Sequence, residues 1–120
     1  MISGPTLVTA RRRPEGFLEA RARSGSGRHG EILASFLQSE VQGDLATAWA
    51  FLDEIAAAER GGKPQPGGVG NAFSIVIDAG GATIRNAVIA GAAPEHYSLG
   101  EVRAALEMWA AAIERARAEP

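Results

Sequence analysis

Two stretches of the chain repeat their apolar residues at the period of a helix. Val41, Leu45, Ala48, Leu52 and Ile55 are spaced four, three, four and three apart, one stripe on a helix that opens at Gln38 or Ser39. Trp49 and Phe51 flank that stripe, and Gly61-Gly62 stops the helix, because glycine takes the left-handed conformation common just past a helix end. Leu99, Val102, Leu106, Trp109, Ile113 and Ala116 form the second stripe, at spacings of three, four, three, four and three. Ser98 and Glu101 stand before it as S-x-x-E, the spacing of a capping box in which each side chain satisfies the other residue's backbone N–H.

Elsewhere the period is two. Thr6–Thr9 is a short β-prone run ending at Arg11-Arg12-Arg13-Pro14, where proline favours a turn. From Phe17 to Arg23, Leu18, Ala20 and Ala22 share one face while Glu19, Arg21 and Arg23 share the other, the pattern of a half-buried strand. Ser24–Gly27 reads as a turn and Glu31–Leu37 as the return strand, with Ile32, Ala34 and Phe36 on one face; a helix starting at Ile32 is the alternative. Gly61–Gly70 is glycine- and proline-rich and reads as a loop joining helix to sheet. Phe73, Ile75 and Ile77 alternate along another strand, Asp78–Gly81 is a turn signal, and Thr83–Ile89 returns as the hairpin partner. The expected fold is therefore a single α+β domain over residues 1–120, an antiparallel sheet in the order β-β-β-α-β-β-α with both helices on one face.

Composition narrows the function classes. Hydrophobic residues at 46% and charged residues at 22% of 120 are globular values and argue against disorder. The absence of cysteine excludes disulfides and thiol chemistry. No apolar run approaches the roughly 18 residues of a membrane span, so neither membrane insertion nor export is expected. The formal charge of −2 is near neutral, but it is unevenly spread. Residues 1–30 carry +4 and residues 31–60 carry −5, a dipole along the sequence that makes the acidic stretch the place to expect a protein partner.

Candidate chemistry is sparse. His29 and His96 fall in predicted loops, and a catalytic pair would need both loops to converge on a carboxylate; solvent-exposed loop histidines are the plainer reading. Gly67–Asn71 resembles a phosphate loop but precedes a strand, so no helix N-terminus waits for an anion. Ser98 is a cap, since no glycine-flanked elbow surrounds it. No catalytic residue, metal site or cofactor is expected. Glu40 and Asp44 lie four apart in the first turns of the first helix, where acids favour the helix N-terminus, and Asp53 and Glu54 continue the negative bias. Trp49 and Trp109 are expected to pack between helix and sheet; a Trp49 at the rim would instead be an aromatic anchor, and with it these acids are the candidate partner-binding residues. Arg11, Arg12, Arg13, Arg21 and Arg23 are the alternative, a basic patch that lacks the interleaved aromatics of a nucleic-acid platform.

The runs FLEARARSGSGRHGEILASFLQSEVQGDLATAWAFLDEIAAAE, NAFSIVIDAGGATIRNAV and YSLGEVRAALEMWAAAI resemble the YacL-like family of small bacterial proteins over roughly residues 16–115. The shared features are an alternating hairpin, an E-V step into a helix containing L-D-E, a hairpin around an acidic-glycine turn, and S-L opening the last helix. Similar small sheet-and-helix proteins serve as immunity proteins of contact-dependent growth inhibition. The resemblance implies a non-catalytic cytoplasmic inhibitor, monomeric or homodimeric, that binds the toxic C-terminal domain of a cognate effector. The alternatives are a nucleic-acid-associated protein using the arginine-rich hairpin and a homodimeric structural protein whose sheet edge self-pairs.

Overall fold

Strand β2 (Leu18–Ala22) forms where its alternation predicts, and β1 (Val8–Arg12) starts two residues later than the expected Thr6–Thr9 run and takes in Arg11 and Arg12; the two pair antiparallel with Ala10 opposite Ala20. Val8 is buried and Ala10, Leu18 and Ala20 pack on the core, while Thr9, Arg11 and Arg21 are exposed. This is a computed structural model describing residues 6–61, 65–69, 72–89 and 91–118, with the burial of residues 65–69 outside the description.

The expected return strand is instead a helix. α1 spans Gly27–Phe36 and runs on into a π-helical turn, Leu37–Val41. The apolar residues here fit both periods: Ile32, Ala34 and Phe36 alternate, but Leu33, Phe36 and Leu37 lie on one helical face. The helix prevails because it buries Leu33, Phe36 and Leu37 together, whereas a strand would turn Leu33 and Leu37 to the polar side. A second correction follows at once. Val41 belongs to the π-helical turn, the chain breaks at Gln42-Gly43, and α2 (Leu45–Glu59) starts afresh with Asp44 as its N-cap.

The second sheet has four strands where the sequence pattern gives two. β3 (Gln65–Val69) lies within the predicted loop, β4 (Phe73–Asp78) and β5 (Gly81–Asn86) form the expected hairpin, and β6 (Glu95–Tyr97) adds a short edge. The order is β3-β4-β5-β6, antiparallel throughout. Gly81 permits the close join of β5 to β6: its φ is +139°, and a Cβ there would stand 2.4 Å from the Tyr97 carbonyl oxygen.

The last helix, α3 (Leu99–Ala118), opens on the predicted capping box. The Ser98 N–H donates to Glu101 Oε1 at 2.9 Å and the Glu101 N–H donates to Ser98 Oγ at 3.0 Å. The class is α+β, with three α-helices among the described residues rather than two. They do not sit on one face of a single sheet: α1 and α3 each contact both the β1–β2 hairpin and β5, and α2 packs on α3 and β4. The core between them centres on Trp109, Phe36, Leu33, Ile55, Ile84 and Leu106, all fully buried.

Candidate functional site

α2 is apolar nearly all the way round. Leu45, Ala48, Ile55 and Ala58 face the core, and the opposite side carries Ala46, Trp49, Ala50 and Asp53, all exposed. A helix with a polar outer face is the rule at a surface; one that is apolar on both sides is built to be covered. Trp49 is 51% exposed, a large aromatic held out on a rigid element, and Asp53 follows it by one turn. Glu54 lies beside this face, half-buried, with Oε2 shielded from solvent and without a hydrogen-bond partner. Burial pushes its carboxyl above the ordinary value.

The other two predicted acids stand apart from that face and are engaged within the fold. Glu40 sits in the π-helical turn, and its Oε2 accepts from the N–H groups of Ala72 (2.8 Å) and Phe73 (3.2 Å), fixing the start of β4. Asp44 caps α2: Oδ1 accepts from the Ala46 N–H at 3.1 Å and Oδ2 from the Thr47 hydroxyl at 2.7 Å. The Thr47 bond, the Ala46 N–H and the charge of Arg117 hold its carboxyl below the ordinary range. The two carboxylates thus belong to different elements and do not share one helix face.

The arginines disperse. Arg13 lies 3.8 Å from Glu15 and 3.6 Å from Glu19, and Arg23 donates from Nε to the Thr6 carbonyl at 2.6 Å. Arg11, Arg12 and Arg21 stay exposed. Two cations outside the sequence-derived patch join this end of the molecule, because Arg115 on α3 lines a small cleft together with Arg12, and Arg117 lines a larger one beside it.

One constellation is invisible at the level of local pattern. His29 is on α1, where its Nδ1 lies 2.8 Å from Glu95 Oε2 and its Nε2 lies 3.3 Å from Glu101 Oε2. Its ring stacks on Tyr97 with centroids 4.2 Å apart, and the Tyr97 hydroxyl donates to the His29 carbonyl at 2.7 Å. Burial, with the Glu95 and Glu101 charges, pushes the Tyr97 hydroxyl well above its ordinary range. Arg28 adds an ion pair to Glu95 and donates to the Ala93 carbonyl at 2.9 Å. A carboxylate only accepts, so the imidazole bonds both partners when both of its nitrogens carry protons. Each ring nitrogen therefore has a carboxylate partner, and the cluster ties α1 to β6 and α3. His96 takes no part in it; its Nδ1 lies 2.9 Å from the Thr83 hydroxyl. Only the 66-residue separation hid the His29–Glu95 pair, since both residue types were legible.

Among the described residues no group of three or more His, Asp or Glu side chains is placed to hold a metal, and no helix is long and apolar enough to cross a membrane. The part of the Gly67–Asn71 stretch beyond Val69 lies outside the described residues. No family model, curated protein or solved structure matches the chain.

Proposed function

We propose that this chain is a non-catalytic binding protein that takes a protein partner on the outer face of α2, and that it acts in the cytoplasm as the immunity partner of a toxin domain. The observation that carries the reading is Trp49, 51% exposed on a helix whose outer face it shares with Ala46, Ala50 and Asp53. Exposed Asp53 adds an acceptor for a basic partner at the edge of that apolar patch. The immunity role draws on the resemblance to small YacL-like and immunity proteins. The position of His29 between Glu95 and Glu101 and the capping bond of Ser98 tie these side chains to the fold, which supports a non-catalytic role.

Glu40 and Asp44 are unsuitable for testing it, because reversing either charge breaks a backbone contact of the fold. Trp49 and Asp53 are suitable. The test is growth rescue by this chain co-expressed with the toxic domain encoded in the reading frame immediately upstream. The wild type is expected to rescue, and Trp49→Ala combined with Asp53→Arg is expected to abolish rescue with thermal stability unchanged. Full rescue by the double variant rejects the α2 face, and the absence of any effector frame beside the gene rejects the immunity role.

A further inference from the structure

Beside the start of α2, the turn of the β1–β2 hairpin, the π-helical turn and the end of α3 form a cleft of about 400 Å³. Much of its lining is apolar, from Phe17, Leu18, Ile113 and Ala116. Phe17 keeps 54% of its surface exposed while lining the cleft, a cost that a bound apolar body would remove. A second cleft of about 120 Å³ shares Leu18 and Ala116 with the first and carries Arg12 and Arg115, so the two are neighbouring parts of one furrow.

The polar groups in the larger cleft are few. Gln38 is committed to β2: its Oε1 accepts from the Ala20 N–H and its Nε2 donates to the Leu18 carbonyl. Gln42 Nε2 already donates one hydrogen to the Ser39 carbonyl at 2.9 Å, which leaves its second hydrogen and the Arg117 guanidinium as the groups that can address a ligand. Among the described residues no carboxylate lies within ion-pair distance of Arg117; Asp44, its charged neighbour, is already occupied by Ala46 and Thr47. Gln42 holds φ +54° and ψ −138° in the tight turn from Val41 to Asp44, a conformation glycine adopts without strain. Trp109 Nε1 pins the Gln42 carbonyl at 2.6 Å. A side chain is thus kept at a glycine position, on the lip of a cleft, directly after a π-helical turn, a combination of the kind that marks ligand sites.

We propose that this cleft binds a small organic monocarboxylate with an apolar body. The carboxylate meets the planar fork of Arg117 and the amide of Gln42, and the body lies against Leu18, Ile113 and Phe17. The volume is that of a small-molecule site. A phosphate fits less well, because in the larger cleft its extra charge would face the apolar wall, where Arg117 is the one guanidinium in the lining. The site is separate from the α2 face and does not depend on the partner proposed there.

The test is amide-resolved NMR of the full chain titrated separately with phenylbutyrate, phenylbutanol and inorganic phosphate. Phenylbutyrate is expected to shift the Gln42 side-chain amide and the backbone amides of Phe17, Leu18 and Ala116. Arg117→Gln is expected to weaken phenylbutyrate about tenfold while leaving phenylbutanol unchanged. Ala116→Phe, which fills the cleft, is expected to abolish both. The proposal is overturned if phenylbutyrate leaves those residues unshifted up to its solubility limit. It is equally overturned if Arg117→Gln binds phenylbutyrate as the wild type does, or if phosphate binds as tightly as phenylbutyrate.

Discussion

Gln42 stands where the backbone favours glycine, and its strain is held by Trp109 from the core side and by its own Nε2 donating to the Ser39 carbonyl at 2.9 Å. Backbone strain of this kind costs on the order of 1–3 kcal/mol. Gln42→Gly removes most of it and loses one exposed hydrogen bond, so a net gain of about 1 kcal/mol is expected. Thermal unfolding should show a midpoint about 4 °C higher; an unchanged or lower midpoint means the side chain contributes more to folding than its geometry indicates. Glu54 is the second residue with an unfavourable setting. Its folded-state carboxyl titrates above the ordinary 4.5, so the folded state holds its proton longer than the unfolded state as pH rises. Its contribution is fully present below the unfolded value and is lost as pH climbs through the raised folded value. Glu54→Gln should therefore stabilise the protein at neutral pH, and the gain should shrink toward about pH 4 in urea unfolding. A gain independent of pH contradicts the assignment. Asp44 has the opposite sign: its lowered carboxyl stabilises the fold above 3.8, and the contribution fades as pH falls through the folded value.

At the scale of elements, the hairpin β1–β2 depends on a side chain from another segment. Gln38 offers β2 the acceptor and donor that a third strand would supply, at 2.7 Å to the Ala20 N–H and 3.0 Å to the Leu18 carbonyl. Gln38→Leu leaves both groups short of a partner in a half-buried setting, with an expected loss of about 2 kcal/mol and faster hydrogen exchange at the Ala20 amide. Exchange at Ala20 as slow as in the wild type would show that the edge is satisfied otherwise. The sequence pattern was legible where one period excluded the other. α3 has six apolar residues at strict helical spacing and a capping box, and it forms with that box in place. Between Gly30 and Leu37 the apolar residues satisfy both periods, and only the tertiary burial of Leu33 and Leu37 decides for helix. The stripe from Val41 to Ile55 runs unbroken through a real break at Gln42-Gly43, because a π-helical turn and a tight turn happen to keep Val41 facing the core. β3, with its Gln-Pro-Gly-Gly-Val sequence, and β6, with three residues, carry too little pattern to announce a strand; each is defined by its neighbour in the sheet. For the candidate site, the helical period put Trp49 beside the apolar stripe and pointed to packing against the sheet, whereas the structure turns it out to solvent one turn before Asp53. The period could not show that Glu40 and Asp44 are held by backbone N–H groups, since those bonds depend on where the chain turns.

Over the whole molecule, the segment charges do not survive as two opposed surfaces. Arg28, from the basic first third, pairs with Glu95 from the last third, and Arg103 pairs with Glu59 across α3 and α2. What remains on the outside is more local: an alanine-rich helix face around Trp49 at one place, and exposed arginines around the end of α3 at another. The first of these is the stronger indication of a protein partner, because covering a large aromatic on a rigid helix supplies the apolar anchor that stable interfaces share. The two tryptophans make that claim directly measurable, since Trp109 is fully buried and Trp49 is half in solvent. The measurement is tryptophan emission, with acrylamide quenching, as the purified toxic domain is titrated into Trp109-retaining wild type and into Trp49→Phe, with the toxin's own tryptophans replaced by phenylalanine. Binding on the α2 face predicts a blue shift and protection from quenching in the wild type, both absent from Trp49→Phe. Formation of the complex with Trp49 as open to acrylamide as before would contradict the account.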